Sequence, residues 1–199
     1  AQLRTALGAQ RTAGAGRLGQ WLVRQRAAND ELVTRALGLQ WSCPVLGVDF
    51  HDADSMSTLV PRLFVDACGA LPLRVAAGKI LYVAFEDRPD PVLALAIERM
   101  TGLRVESGVV RESAFRSAHA RMLDARYPRT TLLEAASETS LGDALLEAVE
   151  KTRPADALLV RVHDCLWLRM WQQPEAGYLP TRELDRESVT DVICSLAPR

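Results

Sequence analysis

The sequence predicts an α+β protein with an N-terminal helical subdomain (1–47), a small α/β subdomain of strand-strand-helix-strand-helix order (48–126) and a C-terminal helix-hairpin-helix segment (127–199). Three observations carry this expectation. Apolar residues recur at helical spacing through the first forty positions. From about Leu71 the pattern changes to short apolar runs separated by turn residues. The chain has 199 residues, of which 48% are hydrophobic and 25% charged, so it is long and apolar enough to bury a core.

The helices come first. Asn29 is placed to cap a helix whose first turn carries Asp30 and Glu31, where negative charge meets the positive helix end. Arg11 to Gly16 reads as a flexible spacer before it. Pro44 disfavours helix in the residue before it, so Trp41 to Val45 should be extended. A polar bridge over Asp49 to Ser57 leads to a helix around Thr58 to Cys68. Leu73 to Ala76 and Ile80 to Phe85 read as strands about an Ala77-Gly78 turn. Pro89 to Pro91 open a helix with Val92, Leu95, Ala96 and Met100 on one face, and Gly102 closes it. A strand over Leu103 to Val109 and a helix over Glu112 to Leu123 follow, and Tyr127-Pro128-Arg129 marks a boundary. Beyond it, the spacing predicts a helix over Ser140 to Thr152, strands over Ala157 to Val162 and Cys165 to Trp171 about a His163-Asp164 turn, and a closing helix over Arg186 to Leu196.

One short stretch occurs twice. Ala6-Leu7-Gly8-Ala9-Gln10 returns thirty positions later as Ala36-Leu37-Gly38-Leu39-Gln40, each time as the end of an apolar helical stripe that finishes on glutamine. Leu3, Ala6, Leu7 and Gln10 form one stripe, and Val33, Ala36, Leu37 and Gln40 the other. Residues 1–40 carry six arginines against Asp30 and Glu31, a local charge of +4 in a chain whose net charge is −1. The overall balance argues against a general nucleic-acid binder, and the local excess favours an anionic ligand.

Taken together, Arg17 to Gln40 (RLGQWLVRQRAANDELVTRALGLQ) resembles the tandem motif in the N-terminal domain of type II secretion and type IV pilus assembly ATPases, the MshE-type N-domain. There, RLG, an apolar pair, a turn, a capped helix and LxxALxxQ are given twice. Arg17, Leu18, Gly19, Leu22, Val23, Asn29, Val33, Ala36, Leu37 and Gln40 match that pattern. Arg26 stands at the usual turn glycine, Ala27 and Ala28 replace larger apolar residues, Trp21 is bulkier, and the first copy begins at about Leu3 without an RLG half. LYVAFEDRP (81–89) and TGLRV (101–105) resemble the second part of the same domain, so the resemblance covers about residues 1–126. With no initial Met and a repeat joined midway, the chain reads as a piece of something longer.

The resemblance implies a non-catalytic bacterial regulatory module that binds cyclic di-GMP, with no cofactor beyond that regulatory ligand. It also implies protein partners in the secretion or pilus machinery, including an inner-membrane component, and a cytoplasmic location, peripheral to the inner membrane through such a partner. The alternative it allows is a docking module without nucleotide binding. Cyclic di-GMP has two-fold symmetry, which suits two repeated helices lying side by side. Arg17 would fork onto phosphate or stack on a base. Gly19, beside Leu18 at a helix start, would let backbone approach the ligand. Leu3, Leu7, Val33 and Leu37 would form an apolar floor, Leu22 would join the ligand-binding residues, and Gln10 and Gln40 would bond base or phosphate edges. Taken one at a time, the same leucines also read as helix-packing core.

Other constellations point elsewhere. His51-Asp52 with Asp54, and His163-Asp164, have the composition of a metal-dependent phosphohydrolase but sit in predicted loop and turn positions. Glu86, Asp87 and Asp90 read as loop and cap chemistry. Trp41, Trp167 and Trp171 read as packing anchors, with Trp167 and Trp171 forming a partner surface if their strand lies at an edge. Cys43, Cys68, Cys165 and Cys194 include no CxxC pair, which fits a reducing compartment and no metal site. No GxxxxGK[ST] loop is present, so the chain carries no ATPase motor. No run reaches the ~18 apolar residues of a membrane span, and no direct membrane insertion is expected.

Overall fold

The computed structural model describes residues 2–48, 52–173 and 186–196. Helix α1 (Gln2–Ala13) continues into the expected spacer and breaks only at Gly14 and Gly16, whose φ values of 66° and 88° are left-handed. Helices α2 (Leu18–Arg24) and α3 (Asp30–Gln40) follow, and the Asn29 side chain caps α3 by accepting from the Leu32 amide at 2.8 Å. Past α3 the extension expected from Trp41 begins later: Trp41 closes the helix at φ −98° and ψ 2°, Ser42 turns at φ 50°, and the chain extends only about Pro44. The Val109 amide donates to the Pro44 carbonyl at 3.0 Å and the Leu46 amide to the Val109 carbonyl at 2.8 Å, so this segment runs parallel to a strand edge.

The helix expected over Thr58 to Cys68 is shortened to α5 (Arg62–Cys68), and the expected polar bridge before it holds a short helix, α4 (Ala53–Met56). Pro61 precedes α5, and the Thr58 and Leu59 carbonyls are turned away to accept from Arg169, more than a hundred residues later. Then come strands β1 (Ala70–Ala76) and β2 (Ile80–Phe85), helix α6 (Pro91–Thr101), strand β3 (Arg104–Val109) and helix α7 (Glu112–Leu123), in the order the sequence predicts. Ala77 and Gly78 both take positive φ in the β1–β2 turn, as a tight hairpin demands. The Asp90 carboxylate caps α6 from the Val92 and Leu93 amides, each 3.0 Å away, and Gly102 ends it at φ 68°. The sheet runs β1-β2-β3, antiparallel then parallel.

The C-terminal segment departs further from expectation. Arg129–Ala135 is strand β4, helix α8 spans Glu138–Thr152, and β5 (Asp156–Val162) and β6 (Cys165–Trp171) form the expected hairpin. The predicted closing helix over Arg186 to Leu196 is a 3-10 turn (Arg186–Ser188) followed by strand β7 (Val189–Leu196). Helix-hairpin-helix is therefore corrected to a four-stranded sheet of order β4-β7-β6-β5 with α8 packed on it. The reason is burial on both faces. β7 is an interior strand, with Val189 and Ile193 on the main core and Val192 and Cys194 under α8. Its apolar residues therefore do not alternate, and Val189, Val192, Ile193 and Leu196 fall by coincidence at helical spacing. The α+β class itself holds.

One apolar core crosses the Tyr127-Pro128-Arg129 boundary. Phe64 of α5 meets Trp167 of β6 edge-on at 5.3 Å, and Val160, Val162, Trp171, Val189 and Ile193 join Leu71, Leu81, Phe85 and Ile97. Trp167 and Trp171 are buried anchors on an interior strand, so they form no exposed partner surface. Among them lies an ion pair with its carboxylate wholly buried. Asp191 Oδ1 accepts from Arg169 Nε and Trp167 Nε1, and Oδ2 from Arg169 Nη2, all at 2.8 Å. Arg169 Nη1 donates to the Thr58 and Leu59 carbonyls at 2.9 and 3.2 Å.

Asp191→Ala strands a buried guanidinium and an indole N–H, so urea unfolding should show a loss of about 3–5 kcal/mol. A second test concerns pH. Burial pushes the Tyr127 phenol well above its ordinary value, with Arg62 pulling weakly the other way, and its hydroxyl donates to the Met122 carbonyl at 2.8 Å. The folded phenol stays neutral where the unfolded one ionises, so its contribution is intact below about pH 10 and is lost as pH rises above that. Tyr127→Phe should flatten the alkaline fall in stability measured by denaturant titration.

Candidate functional site

The motif helices are tied to the α/β subdomain by polar side chains. Arg17, just before α2, pairs with the Glu86 carboxylate, and its Nη1 reaches the Glu86 carbonyl at 3.3 Å and Asp87 Oδ1 at 3.4 Å, all in the β2–α6 turn. Burial opposes its charge, but the hydrogen bond to Glu86 and the fields of Asp87, Glu86 and Glu112 outweigh that, and its pKa lies above the ordinary value. Gln20 accepts from the Arg17 amide at 3.3 Å and donates to Glu112 Oε1 at 2.8 Å. Asp30 serves as the missing cap of α7, accepting from the Glu112 and Ser113 amides at 3.2 and 3.3 Å and from the Ser113 hydroxyl at 2.9 Å. The sequence identifies Asp30 only as an acidic residue of its own helix. Its second role depends on a residue more than eighty positions away.

A cavity of about 950 Å3 opens beside this tie. Its lining includes Leu37, Gln40 and Trp41 at the end of α3, Asp66 and Cys68 of α5, Glu86, Asp87 and Asp90 of the β2–α6 turn, Phe115 and His119 of α7, and His163 of the β5–β6 turn. His119 stacks on Phe115 at 5.3 Å and its Nε2 lies 2.8 Å from the Val65 carbonyl. His163 Nε2 meets Asp90 Oδ2 at 2.6 Å. This last contact joins the two sheets at the cavity rim.

The predicted ligand residues divide. Leu37 and Gln40 line the cavity, and the carboxylates that hold Arg17 line it too. Leu3, Leu7 and Gln10 belong to α1, which packs on α2, and the Gln10 amide donates to the Gly16 carbonyl at 2.8 Å. The two repeated helices are therefore not the side-by-side pair expected. α3 packs on α2, β3 and α7, with at most marginal contact to α1. Leu18, Leu22 and Val33 are half-buried around the α2–α3 seam. Gly19 is also corrected. A Cβ there would lie 2.6 Å from Val33 Cγ1, so the glycine lets two helices approach instead of leaving space for a ligand. Arg26 takes a left-handed conformation at φ 55°, with the strain that carries outside glycine.

The remaining chemistry is structural. Asp52 caps α4, accepting from the Asp54 amide and the Ser55 hydroxyl, while His51 lies outside the described residues. Among the described residues, no three or more His, Cys, Asp or Glu are grouped to hold a metal ion. Burial raises all four thiols above their usual range, which disfavours the reactive thiolate. Among the described residues no helix is long and apolar enough to cross a membrane.

No protein-family model matches the chain, and no curated protein does. Among solved structures, one described as the structure of MshE with cdg is similar at a TM-score of 0.46 and 24% identity, over 61% of this chain and 87% of that one.

The repeat copies predict their own difference. A Cβ on Gly8 meets nothing within 4 Å, whereas one on Gly38 comes within 3.0 Å of the Cys43 carbonyl. Gly8→Ala should stabilise by about 0.5–1 kcal/mol through helix propensity, and Gly38→Ala should lose that gain or reverse it, both read from thermal unfolding.

Proposed function

We propose that this chain is a non-catalytic bacterial regulatory module that binds cyclic di-GMP at the groove beside its RLG-to-Gln40 motif. One observation carries the reading: Gln40 and Leu37, from the end of the motif, face the same cavity as the carboxylates that grip Arg17 at its start. The motif is thus folded about a concave surface, and about 950 Å3 is within the range that small-molecule sites occupy. In this reading the Arg17 guanidinium takes a phosphate, a bidentate partner it suits better than lysine would. Leu37 supplies apolar contact, with Leu18, Leu22 and Val33 packing the α2–α3 seam behind it, and Gln40, exposed at the end of α3, bonds a base edge. Leu3, Leu7 and Gln10 form the lesser half, since α1 stands apart from α3. The module performs no reaction. It passes its ligand state to secretion or pilus proteins at the cytoplasmic side of the inner membrane.

Calorimetric titration of the chain with cyclic di-GMP tests this. Saturable binding that Arg17→Ala weakens at least tenfold, about 1.4 kcal/mol, is the expected result. No heat from a protein whose circular dichroism is native would overturn it and leave docking to an inner-membrane component as the function.

A further inference from the structure

We propose that Glu86 and Asp87 are a built-in competitor for Arg17, so that the ligand must displace two carboxylates and in doing so releases the β2–α6 turn. This rests on the reading of the groove as a cyclic di-GMP site and names its regulation. The Arg17 guanidinium is already engaged on both terminal nitrogens: Nη2 on the Glu86 carboxylate, Nη1 on the Glu86 carbonyl and on Asp87. A phosphate seeking a two-point contact across the Nη1–Nη2 edge needs those same nitrogens. The local charge also opposes an anion. Two carboxylates against one guanidinium leave an excess of −1 where a phosphodiester would sit. Because the pair is about one-third exposed on each side, it is screened and exchangeable, which suits a switch better than a buried lock.

The displaced turn is connected. Three residues after Asp87, Asp90 caps α6 and holds His163 in the β5–β6 turn of the other sheet. The remaining ties of the motif helices, Gln20 to Glu112 and Asp30 to the α7 amides, do not involve Arg17. Exchange at Arg17 therefore loosens the turn without detaching α2 and α3. The effect of ligand is placed at the junction of the two sheets.

The test compares wild type, Glu86→Gln/Asp87→Asn, Arg17→Ala and Asp66→Asn by titration with cyclic di-GMP, with amide hydrogen exchange at residues 86–90. Asp66 lines the cavity without touching Arg17, so it reports the general field alone. The double variant should bind about fivefold tighter than wild type, the size of a surface ion pair removed from competition, while Asp66→Asn changes little. Ligand should speed exchange at 86–90 in wild type and leave the double variant, already released, unchanged. Equal binding by wild type and the double variant, with Arg17→Ala weak, overturns the competitor and leaves the site standing. Equal tightening by Asp66→Asn also overturns it. Binding by none of the four removes site and competitor together.

Discussion

The buried Arg169–Asp191 pair ties the C-terminal sheet to the segment between α4 and α5. A guanidinium and a carboxylate removed from water are tolerated only when their hydrogen-bonding groups are met, and here Trp167 and the Thr58 and Leu59 carbonyls complete the set. To present those carbonyls, the chain breaks its helix between α4 and α5. That break starts α5 at Arg62, brings Phe64 against Trp167, and sets the end of α5 where it forms one wall of the groove. The C-terminal segment is thus part of the site's scaffold.

The motif helices are attached differently. Apart from Ala6, Thr34 and Gly38, the residues of α1 to α3 are not fully buried, so this part is held less by apolar burial than by short polar ties to the β2–α6 turn and the start of α7. Exposed polar ties of this kind are individually weak and can be exchanged for a ligand's own groups. Close packing adds to these ties at a few points, such as Gly108 beneath Pro44 and Leu46, where a Cβ would lie 2.6 Å from the Pro44 carbonyl.

How much was legible follows from distance along the chain. The Asn29 cap, the Ala77-Gly78 turn, Pro91 and Gly102 about α6, and the His163-Asp164 turn are local, and each was readable from its own few residues. β7 was not, because an interior strand has no polar face, although its β-branched Val189, Thr190, Val192 and Ile193 were the available signal. β4, an edge strand with Leu132 exposed, offered no clean alternation. At the site, Arg17, Leu37 and Gln40 were recognisable by motif, but Glu86 and Asp87 read only as loop acids.

The amino-acid sequence by itself therefore determined the α+β class, the helix limits set by caps and glycines, and the repeated leucine-glutamine stripes, since these depend on neighbours within a turn or two. Tertiary structure alone decided that α1 and α3 are separated by α2, that Gly19 serves packing, and that Arg17 spends its charge on Glu86 and Asp87. Those outcomes depend on which surfaces meet after folding. An ion pair seventy residues apart leaves no periodicity in the chain, and only the packing of helix against turn brings its members together.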